Sequence, residues 1–346
     1  PEYIYRIPEK INDGWETSSL DKENINSAII NDLLQALLNK KFKNIHSILI
    51  VKNGKLVLEK YYYGYDRTKF HQIRSATKSI GSILTGIAID KGFISNANEK
   101  IYQHFKSYEL EQKWDKRVKD ITIKHLLTMT SGYDCDDHKS NFACEQNMYK
   151  SNDWVGYAVN LPMANLPGEH WAYNSTSLLL VGELISKKSD MTIPDFANKY
   201  LFEPMGITGF QWGFSPKGKA WIAGNAKMKP RDMAKFGYMV LNGGKWKEKQ
   251  IVSRDWLKES TLKHVALKDM KILGGNYNYA YLWWLAKLTV KNHAIEIIAA
   301  SGNGGQIIAI IPKYNIIVVF TGGNYNSPLE AQPVEMLIKY IIPAVM

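Results

Sequence analysis

The apolar positions change period several times along the chain, and each change marks an element. Between residues 21 and 42, Ile25, Ile29, Ile30, Leu33, Leu34, Leu37 and Leu38 recur every three or four positions, the spacing of one buried helix face. Residues 47–51 and 56–63 then read as two strands joined at Asn53-Gly54, a pair that accepts the positive φ angles of a tight hairpin turn. From Ser75 the helical period returns, with Ile80, Ile83, Leu84 and Ile87 on one stripe and Gly92 as the stop signal. Helix-like stretches at 122–131, 176–188 and 194–202 follow, with little strand alternation between 93 and 260. Strand patterns reappear at 279–288, 294–300, 306–311 and 316–321, and residues 328–342 read as a closing helix.

This order predicts an α/β (α+β) fold: an antiparallel sheet built from both chain ends, flanked by terminal helices, with a mainly helical domain inserted. The expected division is a discontinuous α/β domain, 1–92 and 262–346, around a helical insert at 93–261. With 346 residues and 45% apolar side chains, the chain can bury a core of that size.

Charge changes the picture little. There are 44 basic and 33 acidic residues, a net +11, but no run of five like charges, so the excess reads as a solvated surface and no nucleic-acid partner is predicted. No stretch of 18 apolar residues predicts an integral membrane segment. The chain opens on Pro1, which reads as a processed or trimmed form and favours a periplasmic or secreted protein over a cytoplasmic one. Cys135 and Cys144, separated by eight residues, are then either a short disulfide or two free thiols in a reducing compartment.

Most catalytic signatures are missing: there is no H-E-x-x-H, no G-x-S-x-G and no P-loop, and no metal or organic cofactor is predicted. What remains is Ser-x-x-Lys, which on a helix puts both side chains on one face, one turn apart. It occurs as Ser19/Lys22, Ser75/Lys78 and Ser260/Lys263. The first and last lie in polar stretches. Ser75 opens the most apolar helix of the chain, where burial disfavours a charged lysine and the helix start favours negative charge. The plain alternative is a helix cap with a lysine reaching solvent. Downstream, Tyr173-Asn174-Ser175 precedes a helix, although a second Tyr-Asn-Ser at 325–327 shows that the tripeptide is common. Ser301-Gly302-Asn303-Gly304-Gly305-Gln306 lies between two apolar strands, where glycines let another molecule approach the backbone.

In this order the motifs resemble those of the serine β-lactamase and penicillin-binding-protein superfamily, specifically the class C-like branch with esterases and 6-aminohexanoate-dimer hydrolases. Ser75-Ala76-Thr77-Lys78 resembles the first motif, Tyr173-Asn174-Ser175 the second and Asn303-Gly304-Gly305 the third. The stretch 122–132 and the Pro167-Gly168 approach are also similar, so the resemblance runs over roughly residues 45–345. Two positions depart from it. Ser175 stands where β-lactamases carry Asn, and Asn303 where they carry Lys and many esterases His; a neutral amide cannot hold a substrate carboxylate as an ammonium does.

The resemblance implies a serine hydrolase acting on a small ester or amide. Ser75 is the nucleophile, Lys78 and Tyr173 manage its proton, and the N–H groups of Ser75 and Gln306 form the oxyanion hole. Either Lys78 or Tyr173 is the base. For a phenol of ordinary pKa about 10 to serve at neutrality costs roughly 4 kcal/mol, which points to an optimum on the alkaline side. Ser175, Asn303, Gly304 and Gly305 are expected substrate contacts, with Tyr133, Trp171 and Trp221 as candidate walls. Asp134, Asp136 and Asp137 form either a receptor for a cationic substrate group or a solvated turn, and His125 and His170 are expected to be structural. The alternatives are a β-lactamase or D-alanyl-D-alanine carboxypeptidase, and a ligand sensor or assembly protein that has lost turnover.

Overall fold

The computed structural model describes residues 5–108, 115–139, 143–272 and 275–346. Its apolar runs pair into a nine-stranded sheet. The strand order is Glu16–Thr17, Lys55–Tyr61, Ile45–Lys52, Ile316–Gly322, Gln306–Ile311, His293–Gly302, Trp284–Val290, Gly275–Tyr279, Val265–Ile272. Every pair is antiparallel except Glu16–Thr17 beside Lys55–Leu56. Asn53 and Gly54 have φ of +52° and +77°, as a tight hairpin turn between 45–52 and 55–61 requires. Every residue of Gln306–Ile311 and Ile316–Gly322 is buried, which is why these strands read as continuous apolar runs. The two ends of the chain meet at the middle of the sheet, where Ser47 Oγ and Thr321 Oγ1, 274 residues apart, lie at 2.6 Å.

One face packs against Ser27–Leu38, capped by Asn26, and against the C-terminal helical segments. The other face receives Pro230–Leu241. There Gly237 lets the helix sit so close that a Cβ would lie 2.7 Å from Ile308 and 2.9 Å from Ile317. This helix falls within the range expected for the insert, yet it packs on the sheet. Thr77–Asp90 is buried all round because its neighbours come in on every side. Trp256 takes the space left by Gly86 and donates from Nε1 to Ser82 O (3.1 Å), and Ser79 Oγ donates to Leu282 O (2.7 Å).

Several boundaries differ from the pattern. The expected strand 279–288 is two strands, because Ala280 N donates to Trp283 O (2.9 Å) and Leu282 takes φ +61°, closing a tight turn. The helix expected at 122–131 stops at Ile123–Leu127, where Met129 turns left-handed at φ +60°. The closing helix is broken into Gln332–Met336, Leu337–Ile341 and Ile342–Val345. Cys135 and Cys144 are bonded, with Cα atoms 5.8 Å apart. Among the described residues no helix is long and apolar enough to cross a membrane, and no cluster of three metal-ligating side chains occurs.

Beneath the start of the buried helix, the short strand His71–Gln72 pairs with Lys227–Met228. His71 is buried, with Nδ1 3.0 Å from Gln72 O and Nε2 2.8 Å from His46 Nδ1. Burial is the main cause that lowers its pKa to about 4. Between the ordinary value of about 6.5 and this one, the unfolded chain binds a proton that the folded chain refuses, so stability falls as pH drops through that window. The expected loss is about 2–3 kcal/mol by pH 4. It reads out as a fall in Tm that His71→Gln flattens; an identical pH profile in that variant rules out His71 as the source.

Candidate active site

Ser75 lies in the single turn Arg74–Ala76 that leads into Thr77–Asp90. Three contacts hold the turn: the His71–Gln72 ladder, Ile73 N donating to Ala226 O (2.9 Å), and Thr77 Oγ1 donating to Arg74 O (2.6 Å). Arg74 has φ +51°, a left-handed conformation that an L side chain adopts only when its surroundings enforce it. Lys78 follows one helical turn later and is 2% exposed. Its Nζ donates to Ser75 Oγ (2.8 Å) and to Ala223 O (2.9 Å), and lies 4.8 Å from the centre of the Tyr173 ring. Tyr173 is itself gripped between His138 (4.6 Å, 10° between planes) and Trp284 (5.8 Å, 29°). Ser75, Lys78 and Tyr173, spread over nearly a hundred residues of sequence, thus meet at one point.

The segment after Tyr173 is fixed from behind. Ser175 N donates to Asp137 Oδ2 (2.9 Å), and Asn174 Oδ1 accepts from Ser177 N (2.9 Å), so Asn174 rather than Ser175 caps the turn into Leu178–Ser189. This reassigns the acidic cluster. Asp137 is buried and positions the second motif, Asp136 Oδ1 accepts from His138 N (3.1 Å), and Asp134 is exposed. None of the three lines either arm of the cleft described below.

The third motif is displaced by a few residues from its expected use. Gly302 is the point of contact with the nucleophile's turn: a Cβ there would lie 2.3 Å from Ile73 O and 3.0 Å from Ser75 N. Gly304 and Gly305, at φ +92° and +90°, make the turn between strands and do not line the cleft. Gln306 lies beyond that turn, opposite Gly302 in the ladder and fully buried. Its side chain is spent on Gly322, donating to the carbonyl (2.7 Å) and accepting from the amide (3.1 Å). The structure therefore does not bring Gln306 to Ser75; Ser301, Gly302 and Asn303 stand there instead. The Asn303 amide is paired both ways with Asn326, donating to Oδ1 (2.6 Å) and accepting from N (2.8 Å). Gly302→Ala is expected to push the Ser75 turn aside and lower kcat/KM about 10²-fold, the scale of an ångström-sized misplacement; turnover within twofold of the parent overturns this.

Of the candidate walls, Tyr133 is buried in the core with its hydroxyl unpartnered, and burial pushes its phenol up. Trp171 packs 5.8 Å from Tyr279 and 6.3 Å from Trp284, behind the cleft. Trp221 does reach the cleft and donates from Nε1 to Ser175 O (3.4 Å). His125 closes a capping box with Thr122, and His170 is exposed.

Two arms meet at Ser75. The smaller, about 140 Å³, is polar and includes Arg74, Lys78, Glu145, Tyr149, Ser175 and Asn225. Tyr149 Oη donates to Glu145 Oε1 (2.8 Å) and accepts from Asn225 Nδ2 (2.8 Å). Burial pushes the Glu145 carboxyl up, with the Tyr149 hydrogen bond and the Lys78 charge pulling the other way. The larger arm, about 460 Å³, is walled chiefly by aliphatic side chains. Sequence reasoning missed Arg74, His138, Glu145, Tyr149, Asn225 and Asn326. The second Tyr-Asn-Ser, dismissed as common, was a usable signal, since Asn326 holds Asn303 and the Tyr325 ring lies 4.7 Å beneath the Arg74 guanidinium.

Ser75, Lys78 and Tyr173 thus stand beside an inner strand of a mixed α/β fold, His293–Gly302, and comparison with known proteins supplies the class. The Beta-lactamase family model matches residues 39–334, and the chain belongs to that family. It is 29% identical over 175 residues to Protein flp of Staphylococcus aureus, a match covering 47% of this chain and 33% of that protein, so the chain spans about a third of that relative. Among solved structures it is similar to a Bacillus anthracis protein described as a 6-aminohexanoate-dimer hydrolase (TM-score 0.71, 19% identity, 90% of this chain and 81% of that one). It is also similar to a family VIII carboxylesterase (TM-score 0.68, 15% identity, 92% and 97%).

Proposed function

We propose that this protein is a serine hydrolase that works through an acyl-enzyme on esters or small amides. One observation carries the reading: Ser75 Oγ accepts a 2.8 Å hydrogen bond from the buried Lys78 Nζ, at a helix start and beside Tyr173. Ser75 attacks the substrate carbonyl while its proton passes to Lys78 or Tyr173. The developing oxyanion accepts from the Ser75 N–H and from a second main-chain donor on the stretch Ser301–Asn303 that lines the cleft beside it. The proton then leaves with the alcohol or amine, and water repeats the sequence to release the acid. The Asn303 side chain, neutral and tied to Asn326, favours esters and amides over penicillin-type substrates. The Cys135–Cys144 bond supports an oxidising compartment outside the cytoplasm.

A second reading, D-alanyl carboxypeptidase, has one observation behind it: Arg74 lines the polar arm and brings a guanidinium to the side of the cleft where a peptide carboxylate could lie. Competition by benzylpenicillin separates the two. The test of the main proposal is intact mass after a fluorophosphonate, together with p-nitrophenyl acetate hydrolysis. A single adduct on Ser75 with steady product release supports it. An adduct with no turnover of any ester supports the sensor reading, and no adduct overturns both.

A further inference from the structure

The larger arm is built where the sheet has been thinned. Ala286, Ala299 and Ala309 lie on one face of three adjacent strands, with Ala299 directly opposite Ala309 and Ala286 opposite Ile297. Alanine at these three places leaves a trough where the neighbouring Ile and Leu side chains would fill the space. Val334 and Leu337 of the C-terminal helical segment roof it, and the cavity of about 460 Å³ opens at Ser75. Along His293–Gly302, the residues facing the trough recede from the nucleophile from Ser301 through Ala299 to Ile297, a run of about 13 Å at the rise of a strand. An extended alkyl chain with C–C bonds near 1.5 Å advances about 1.3 Å per carbon, so the trough takes roughly eight to ten carbons. The polar groups along it leave the floor uncharged. The Tyr277 phenol is buried, unpartnered and pushed up to about 12, so it stays neutral, and the Glu330 carboxylate is at the exposed mouth, accepting from Gly304 N (3.2 Å).

We infer that this trough is an acyl-chain site, and that the substrates are esters of medium-length aliphatic acids whose polar alcohol lies in the opposite arm. The inference rests on the acyl-enzyme reading above. Its orientation follows from the linings of the two arms. As the Ser75 Oγ–carbonyl bond forms and the bond to the leaving oxygen breaks, the serine proton must reach that oxygen through Lys78 or Tyr173. The deacylating water then bonds to the acyl carbon and returns a proton to Ser75 Oγ, releasing the carboxylic acid. Lys78, Ser175 and Glu145 give the smaller arm the polar lining that suits an alcohol, while beyond Tyr173 and Trp284 the larger arm is walled chiefly by aliphatic side chains that suit the chain.

The test is a p-nitrophenyl ester series from acetate to dodecanoate. The expected result is a kcat/KM that climbs about fourfold per methylene, the value of burying one CH₂, and levels off near eight to ten carbons. Within each protein the readout is the decanoate-to-acetate ratio, so that general losses of activity cancel. Ala309→Val and Ala309→Leu should lower that ratio in graded fashion, by about tenfold or more for Leu, and Ile297→Ala should move the plateau to longer chains. A ratio that stays flat in the parent, or that none of the three variants moves, overturns the inference. So does a length dependence that appears instead in acetate esters of ethanol through octanol. Failure of the hydrolase reading looks different: no ester of any length is turned over. The trough is then read by displacement of 11-(dansylamino)undecanoic acid with decanoate, where binding weakened by Ala309→Leu supports the site and absence of binding removes it.

Discussion

Ser75→Ala should abolish ester hydrolysis, lowering kcat by a factor on the order of 10⁴ to 10⁶ while leaving the protein folded. The size of the effect follows from what the hydroxyl alone supplies. Without Oγ there is no covalent intermediate, and the remaining groups can only bind substrate and polarise its carbonyl. Little stability is at stake, because the turn that carries Ser75 is held by the contacts of Ile73, Thr77 and the His71–Gln72 ladder, none of which uses the serine side chain. Loss of the fluorophosphonate adduct together with turnover, at unchanged Tm, is the expected outcome. A variant that still hydrolyses p-nitrophenyl acetate at a tenth of the parental rate would falsify the assignment of the nucleophile.

Lys78→Met should cost about 10³-fold in kcat/KM, within the range of a lost general acid–base group. The side chain is of similar length and apolar, so the packing of Thr77–Asp90 is preserved. What disappears is the pair of hydrogen bonds from Nζ, one to Ser75 Oγ and one to Ala223 O. Tyr173→Phe is the informative companion. If the phenol takes the serine proton, both variants fall by similar factors and the double variant falls little further, as expected for groups acting as a unit. If Lys78 acts alone, Tyr173→Phe loses much less. A Lys78→Met enzyme within tenfold of the parent removes lysine from the proton path.

The elements legible in the sequence were those whose neighbours do not interrupt their period. The hairpin at Asn53-Gly54 was readable because the turn chemistry is local, and the strands 306–311 and 316–322 because burial on both faces makes them continuous apolar runs. The division of 279–288 into two strands was not readable, since the turn at Leu282 is made by a non-glycine residue at φ +61°. The same holds for the helix that ends at Met129. At the site, Ser75 and Lys78 stood out by their spacing at the start of the most apolar helix and Tyr173 by the order of the motifs, and the structure brings the three side chains together. Gln306 was placed wrongly because linear distance along the third motif says nothing about which residue stands before the turn and which behind it. Glu145, Tyr149 and Asn225 carry no local signal at all: they come together through tertiary contacts between separate segments.

The pairing of Ile45–Lys52 with Ile316–Gly322 has a consequence for how the protein is made. A chain emerging from the ribosome completes Ser75 and Lys78 early, but the strands that pack beside them lie near the other end. Closing contacts of such long sequence separation is slow because loop entropy is lost before the pairing repays it. The nucleophile must therefore wait, unassembled, until nearly the whole polypeptide has been synthesised. Activity should appear late and all at once during refolding, in step with formation of the central ladder rather than with helix content.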